Sequence, residues 1–506
     1  MPYLLPALSG LLLALSFPKA DISILAWVAF VPLLYRLQVN GPRRAFYSGL
    51  VTGFVFNLAS VYWVINTMSN YGGLPLPVSL TLLVALSAYL ALYFGVFSWL
   101  YSIVCNKRPA LAFIAAPAFW VTLELARNYM LSGFPWDLIG YSQHANLRII
   151  QVSDITGVYG VSALIVLINC AVTDIIITLS GKGPHVKARL AGPAVAVLAL
   201  AAVAGYGQYR LAHMPKADGT LKVALIQGNI DQFHKWDPAF QNEVFETYKG
   251  LTEEAAAKKP DLVIWPETAT PFIFGDSEKT SELGALVKSA GVYLMTGSPS
   301  VDSRPDGGYL EYNSAYLIAP DGSTAGRYDK MHLVPFGEYV PLKGLLPFVS
   351  KMVTAIGDFG TGTEYTLLKA GKGAFGTAIC FEVIFPELVR HFPLSGANFL
   401  TSITNDAWFG RSAAPYQHFD MAVFRAVENK RALVRAANTG ITGIILPSGE
   451  VAGKTDIFTR GSMAGEIPLV SELTFYTRHG DVFAYGCVVL SLALIAVAII
   501  RRERRI

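Results

Sequence analysis

Seven apolar stretches crowd residues 3–17, 22–37, 45–67, 77–104, 109–130, 157–179 and 189–209, and an eighth follows at 482–500. A helix needs about 20 mostly apolar residues to cross the hydrocarbon core of a bilayer. Backbone inside lipid must also satisfy its own hydrogen bonds, which leaves helices as the way to use such stretches. Eight spans are therefore expected. The first is short, but it lacks a basic n-region and a small-x-small cleavage site, so it reads as a span and not as a signal peptide. Overall the chain is 53% hydrophobic and only 15% charged, where soluble proteins carry about a quarter charged residues. That average is the sum of two solvents, because residues between the seventh and eighth stretches have the composition of a soluble enzyme. The net charge of +4 is too small to imply an acidic partner, and no nucleic acid is expected.

Basic residues give the direction. Arg43 and Arg44 follow the second stretch, Lys107 and Arg108 the fourth, Lys182, Lys187 and Arg189 the sixth, and Arg501, Arg502, Arg504 and Arg505 the last. The connection NTMSNYGGLPLP after the third carries no charge. With positive charge on the cytoplasmic side, both termini are expected in the cytoplasm and residues 213–481 outside it. Glu124 and Arg127 lie at membrane depth, three apart on one helix face. They are expected to pair and lock the bundle.

From Lys222 the pattern changes to short β-branched runs ended by Gly, Pro, Asn or Asp: LKVALIQGN, DLVIWPE, VYLMTGS, NSAYLIA, FGTAIC, NFLTSITND and TGIILP. Helical stretches lie between several of them, such as AFQNEVFETYKGLTEEAAAKK and YQHFDMAVFRAVENKRALVRAA. This alternation predicts a layered α/β domain with a central sheet. The expected division is 1–212 for a seven-span domain, 220–470 for the α/β domain and 482–500 for a final span.

Of four cysteines, Cys105, Cys170 and Cys487 fall in or beside expected spans, where cysteine acts as a small apolar residue. Cys380 alone lies in the α/β domain. A thiol without a disulfide partner in an outward-facing compartment is a candidate nucleophile; the alternative is an inert cysteine buried at a strand end. Its place after FGTAI, where the chain turns toward a helix near Pro386, suits a nucleophile. None of the eight histidines forms a His-x-x-x-His pair, and no Cys-x-x-Cys occurs, so neither a metal nor another cofactor is expected. His332 and His418 are possible bases. A second possibility rests on Glu267, at the end of DLVIWPE, and on Lys330 and Glu338 in RYDKMHLVPFGEYVP. A carboxylate against apolar walls can take a thiol proton near neutral pH, and an ammonium beside it can stabilise the thiolate and then an oxyanion.

WPETATPF, YDKMHLVPFGE and AICFE resemble the three catalytic motifs of the nitrilase, or carbon–nitrogen hydrolase, superfamily. QGNIDQFHKW, the GEYVP continuation and TSITNDAWFG, with seven spans before the domain and one after it, are similar to the apolipoprotein N-acyltransferase family. The resemblance covers essentially the whole chain. It implies a polytopic helical membrane domain plus an extramembrane nitrilase-like αββα sandwich in the inner membrane of a bacterium, with that sandwich in the periplasm. It also implies Glu267 as general base, Lys330 as oxyanion stabiliser and Cys380 as nucleophile. Glu338, Glu382 and Trp236 match further residues around the family's site. Phe381 stands where the family often has Tyr, so a hydroxyl hydrogen bond is lost there. The implied partners are a phospholipid acyl donor, phosphatidylethanolamine above all, and a diacylglyceryl-modified apolipoprotein acceptor. A thioester on Cys380 would link two half-reactions, and a monomer is expected.

Two further segments suit a lipid substrate. PLKGLLPFVSKMVTAIG, residues 341–357, would be an awkward apolar patch in water. It is expected to form a lid at the interface through Leu345, Leu346 and Phe348. FPWDLIGYSQ, residues 134–143, is expected to be an interfacial or re-entrant segment that helps shape an acyl-chain slot. Two other readings compete: a membrane-tethered amidase or nitrilase using water as acceptor, and a transporter or receptor with an inert outer domain. The absence of internal symmetry argues against the transporter.

Overall fold

The structure, a computed structural model, describes residues 2–38, 40–180, 191–275, 277–303, 307–339 and 359–500. Leu345, Leu346 and Phe348 of the expected lid lie outside the described residues. The chain divides into a helical unit, residues 1–65, 75–213 and 479–506, and an α/β unit, residues 66–74 and 214–478.

In the helical unit, five helices among the described residues are long and apolar enough to cross a membrane: Leu76–Lys107, Pro109–Ser132, Val158–Ser180, Ala191–Ala212 and Val482–Ile500. The other three of the eight expected spans are shorter or broken among the described residues. Leu4–Leu15 has 12 residues, a rise of about 18 Å against a hydrocarbon core of roughly 30 Å. The second stretch divides into a 3-10 turn, Ser23–Trp27, and a helix, Val31–Leu37, restarted by Pro32 in its first turn. The third breaks after Ser60 and bends by 57° into Val64–Tyr71.

Glu124 and Arg127 are both buried, but the expected partnership takes another form. Glu124 accepts hydrogen bonds from Trp120 Nε1 (2.8 Å) and from the Ile139 backbone N–H (2.9 Å), while Arg127 Nη2 donates to the Trp136 carbonyl (2.7 Å). Each side chain therefore ties the helix to the backbone of residues 134–143. That segment holds buried Trp136, Leu138, Ile139 and Tyr141, so much of it is packed within the helical unit. A charge without water needs hydrogen-bonding partners, and unwound backbone supplies them.

The α/β unit holds twelve strands: β1 (Gly219–Gln227), β2 (Leu262–Ile264), β3 (Tyr293–Ser303), β4 (Tyr309–Ile318), β5 (Thr324–Asp329), β6 (Leu368–Ala370), β7 (Gly373–Ile379), β8 (Phe399–Thr404), β9 (Leu433–Ala437), β10 (Gly443–Ile445), β11 (Val451–Lys454) and β12 (Gly461–Leu469). They form two six-stranded sheets, ordered β12-β1-β2-β3-β4-β5 and β11-β10-β9-β8-β7-β6. Both have a parallel centre, β1-β2-β3 in one and β7-β8-β9 in the other, with antiparallel strands outside. Strands β2, β8 and β9 are buried along their whole length, as strands covered on both faces must be. Met295 of β3 meets Thr377 of β7 and Thr401 of β8, so the sheets face each other.

On the far side of the first sheet, helices Gln241–Ala256 and Ser277–Ala290 cover a core containing Val244, Phe245, Tyr248, Val263, Trp265 and Leu283. Helices Pro386–Leu394 and Ala414–Asn429 pack on the second sheet. Helix, sheet, sheet and helix make four layers. Trp265 anchors the chain just after β2: it is fully buried, stacks on Tyr248 and donates Nε1–H to Thr252 (2.8 Å). Burying an aromatic of this size stabilises by about 3 kcal/mol, and two residues later the chain presents Glu267.

Candidate active site

Glu267, Lys330 and Cys380 each follow the end of a strand: β2, β5 and β7 respectively. Ligand sites in α/β sheets gather at such carboxyl ends, where the backbone leaves the ladder and side chains project into a crevice. The turn at Glu267 lies close against β3, with Thr268 at φ +46°. Gly297 permits this approach, because a Cβ there would come within 2.6 Å of Glu267 Cα and 2.5 Å of Thr268 N.

Lys330 is 1% exposed. Its Nζ donates to Glu338 Oε1 at 2.8 Å and lies 3.6 Å from Glu267 Oε1. Asn313 Nδ2 bridges the same two carboxylates, at 2.8 Å from Glu267 Oε1 and 3.0 Å from Glu338 Oε1. The second oxygen of Glu267 accepts from the Asn405 backbone N–H (2.8 Å), and that of Glu338 from the Val334 N–H (2.8 Å). The expectation of apolar walls around Glu267 is thus corrected: its surroundings are polar. Burial alone would push the Lys330 ammonium down; Glu338, Glu267 and Cys380 outweigh it and hold the group well above the usual lysine range.

Cys380 is buried and has φ +54°, in the left-handed region that residues with a Cβ seldom adopt. Burial pushes its thiol up and Glu267 adds to this; Lys330 and a hydrogen bond with Thr404 pull it down without cancelling the rise. The balance favours the thiol over the thiolate, against the expected stabilisation by Lys330. A neighbouring base must take the proton as the sulfur attacks.

Glu382, fully buried, supports the corner from behind. One oxygen accepts from Tyr328 Oη (2.9 Å), Met331 N (2.7 Å) and His332 N (3.1 Å), and the other from Ile379 N (2.7 Å). It ties the turn after Lys330 to the residue before Cys380. Burial pushes its carboxyl up to about 7, against the pull of Ile379, Lys330, His332 and Met331. Phe381 packs at 5.2 Å edge-on to Phe385 and 5.9 Å from the His332 ring. The two possible histidine bases have other contacts: His332 packs on Phe385 (3.9 Å), and His418 Nε2 faces the Cys380 carbonyl (3.1 Å).

Trp236 is about half exposed, at the end of the short helix Gln232–Lys235. Its neighbour Lys235 is buried and donates to the Glu267 carbonyl (3.1 Å) and to Thr268 Oγ1 (2.6 Å). Burial pushes the Lys235 ammonium down to about 7, with Glu267 opposing. Close by, Tyr71 stacks on Phe233 (5.5 Å) and meets Trp408 edge-on (5.2 Å).

A family model for the apolipoprotein N-acyltransferase N-terminal domain matches residues 9–171, and one for carbon–nitrogen hydrolase matches residues 222–472. The chain is 47% identical to an apolipoprotein N-acyltransferase of Geobacter metallireducens over 99% of its own length and 96% of that protein's. The chain belongs to the apolipoprotein N-acyltransferase family. A member from Chlorobaculum tepidum is 31% identical over 99% of this chain and 97% of the relative. Among solved structures, an amidase from Nesterenkonia sp. AN1 aligns with 53% of this chain and 98% of its own, at 19% identity and a TM-score of 0.38.

Reading the sequence alone passed over Asn313, Asn405 and Lys235. Asn313 stands inside NSAYLIA, read only as a strand, and Asn405 inside TSITNDAWFG, read as a strand end and as part of the family resemblance, with no role given to either side chain. Lys235 precedes Trp236 and carried no signal of its own, because its burial depends on where the 231–240 segment folds.

Proposed function

We propose that the protein transfers a fatty acyl chain from a phospholipid, phosphatidylethanolamine in the first place, to the N-terminal α-amine of a diacylglyceryl-cysteine on an apolipoprotein. The observation that carries this reading is the full-length 47% identity to a protein named for this activity. The arrangement of Glu267, Lys330 and Cys380 supports it, because it offers a base, a cation and a nucleophile in one buried cluster.

In the first half-reaction Cys380 Sγ attacks the ester carbonyl while its proton passes to Glu267. Negative charge develops on the carbonyl oxygen, and Lys330 stabilises it; such a preset cation in a water-poor site supplies several kcal/mol. Glu338 and Asn313 orient the ammonium. The tetrahedral intermediate collapses to a thioester, and the lysophospholipid leaves with the proton from Glu267. In the second half-reaction the lipoprotein amine attacks the thioester and gives its proton to Glu267. Collapse forms the amide, and the proton returns to sulfur. The covalent intermediate requires ping-pong kinetics.

The same reading puts the α/β domain, 220–470, in the periplasm with both termini in the cytoplasm and the protein in a bacterial inner membrane. Positive charge between spans supports this orientation. Eight crossings are proposed: the five long helices, the bent pair and the two shorter apolar helices Leu4–Leu15 and Ser23–Leu37. The deciding experiment incubates the purified protein with acyl-labelled phosphatidylethanolamine and a diacylglyceryl peptide. N-acylated peptide is expected. Release of free fatty acid with no acylated peptide would sink the proposal in favour of a hydrolase.

A further inference from the structure

Behind the nucleophile lies a group of charges that the proposed chemistry does not use. Asp406, His418 and Arg435 are each 0% exposed. The Cys380 carbonyl can only accept, so His418 Nε2, 3.1 Å away, carries the hydrogen. His418 Nδ1 then accepts from Arg435 Nη2 at 2.8 Å and also lies 3.1 Å from Asp406 Oδ1. The same Nη2 donates to Asp406 Oδ2 at 3.0 Å, and Thr404 Oγ1 donates to Asp406 Oδ1 at 2.8 Å. Gly440 leaves room for this carboxylate, since a Cβ there would come within 2.1 Å of Asp406 Oδ2.

The relay begins in the three residues that end β8 and follow it, and these also reach the reacting groups. The Thr404 side chain lies close enough to the Cys380 thiol to act on its ionisation. The Asn405 N–H holds Glu267 Oε2 at 2.8 Å. Asn405 is itself held, donating to Gln232 Oε1 (2.6 Å) and accepting from Asn438 Nδ2 (3.0 Å). Nucleophile and base come from different sheets, and this segment touches both.

We propose that Arg435, Asp406 and His418 form a buried positioning relay that fixes the Cys380 peptide in its left-handed conformation, so that the Thr404–Asp406 segment sets the sulfur against Glu267. This rests on the reading that Cys380 takes up the acyl chain. His418 is then a positioning residue and not a base. Burial and Arg435 push its ring below the usual histidine range, in keeping with a neutral donor. Burial would raise the Asp406 carboxyl, but Arg435 foremost, with the hydrogen bond from Thr404, holds it at about 2. Buried ion pairs contribute little net stability compared with apolar residues of equal volume, so a role in placing the nucleophile accounts for their presence better than stability does.

The test uses the full chain in detergent micelles with acyl-labelled phosphatidylethanolamine, following single-turnover formation of the acyl-enzyme and the KM for phospholipid. His418→Leu removes the hydrogen bond to the Cys380 carbonyl, and His418→Gln keeps an N–H donor. His418→Leu and Asp406→Asn are expected to slow acylation by about 10- to 100-fold, the scale of an ångström-size misplacement. The KM should stay within about twofold, and His418→Gln should recover most of the rate. Wild-type acylation in either slow variant, a loss carried by KM, or equal slowing by Leu and Gln would overturn the relay. If His418→Leu fails to fold, Asp406→Asn decides by the same criteria. Cys380→Ala separates the two levels of the argument: acyl-enzyme that persists in it overturns the nucleophile itself, whereas its loss there beside a fast His418→Leu overturns the relay alone.

Discussion

Glu338 lies closer to Lys330 than the proposed base does: Lys330 Nζ is 2.8 Å from Glu338 Oε1 and 3.6 Å from Glu267 Oε1. In the proposed mechanism the ammonium is thus held mainly by a carboxylate with no part in proton transfer, and Glu267 is left for the thiol. Glu338→Ala should let Lys330 swing onto Glu267 and slow acyl-enzyme formation by about 10- to 100-fold. Glu338→Gln keeps an acceptor oxygen and should lose less. Mass spectrometry of the acyl-enzyme at fixed times would show the order, and equal rates for both variants and wild type would exclude this role.

Lys330→Met should lower acylation by about 100- to 1000-fold, the loss seen when a preset donor to an oxyanion is removed. It should also destabilise the fold, because Glu267 and Glu338 would face each other across Asn313 without a cation; breaking a buried pair costs about 3–5 kcal/mol. Lys330→Arg is not expected to rescue, since a planar guanidinium cannot occupy a site built around a compact ammonium. Thermal unfolding and single-turnover rates test the two halves separately.

The raised Cys380 thiol gives a pH prediction with a definite sign. Its ionisation should not level off through the ordinary thiol range near about pH 8.5, so alkylation by iodoacetamide should keep rising beyond it. Glu267 raises the thiol and Lys330 lowers it. Glu267→Gln should therefore shift the alkylation profile to lower pH while abolishing acyl transfer, and Lys330→Met should shift it higher. Shifts in the opposite sense would remove the electrostatic account.

Lys235 should make stability depend on pH. Its ammonium is pushed down to about 7, below the value of about 10.4 for an unfolded lysine. Between these values the unfolded chain binds more protons, so this group's contribution rises with pH and is lost as pH falls through about 7. Lys235→Met should remove that slope. Comparing melting temperatures of both proteins at about pH 6 and pH 9 would check it; identical slopes would refute it.

Much of the α/β unit was legible from period and punctuation. DLVIWPE, FGTAIC and NFLTSITND each became a strand whose end carries a functional group, because an apolar run stopped by Pro, Cys or Asn–Asp has few other uses. The helical unit was less legible. A window of apolar residues does not distinguish a straight span from a short helix, a restart at Pro32 or a bend of 57° after Ser60, since those depend on neighbouring helices. Glu124 and Arg127 were placed on one face correctly, but their true partners lie in residues 134–143, and spacing within one helix cannot reveal them.

The sequence by itself determined the division between lipid-like and water-like stretches, the layered α/β class and the identity of Glu267, Lys330 and Cys380 as candidates. These follow from local rules of hydropathy, strand period and residue chemistry. The tertiary structure alone decided which carboxylate grips Lys330, that Asn313 and Asn405 hold Glu267, that burial pushes the Cys380 thiol up, and that His418 faces a carbonyl. Those properties arise from residues distant in the chain brought within hydrogen-bond reach in a dry interior, where burial and neighbouring charge set each group's behaviour.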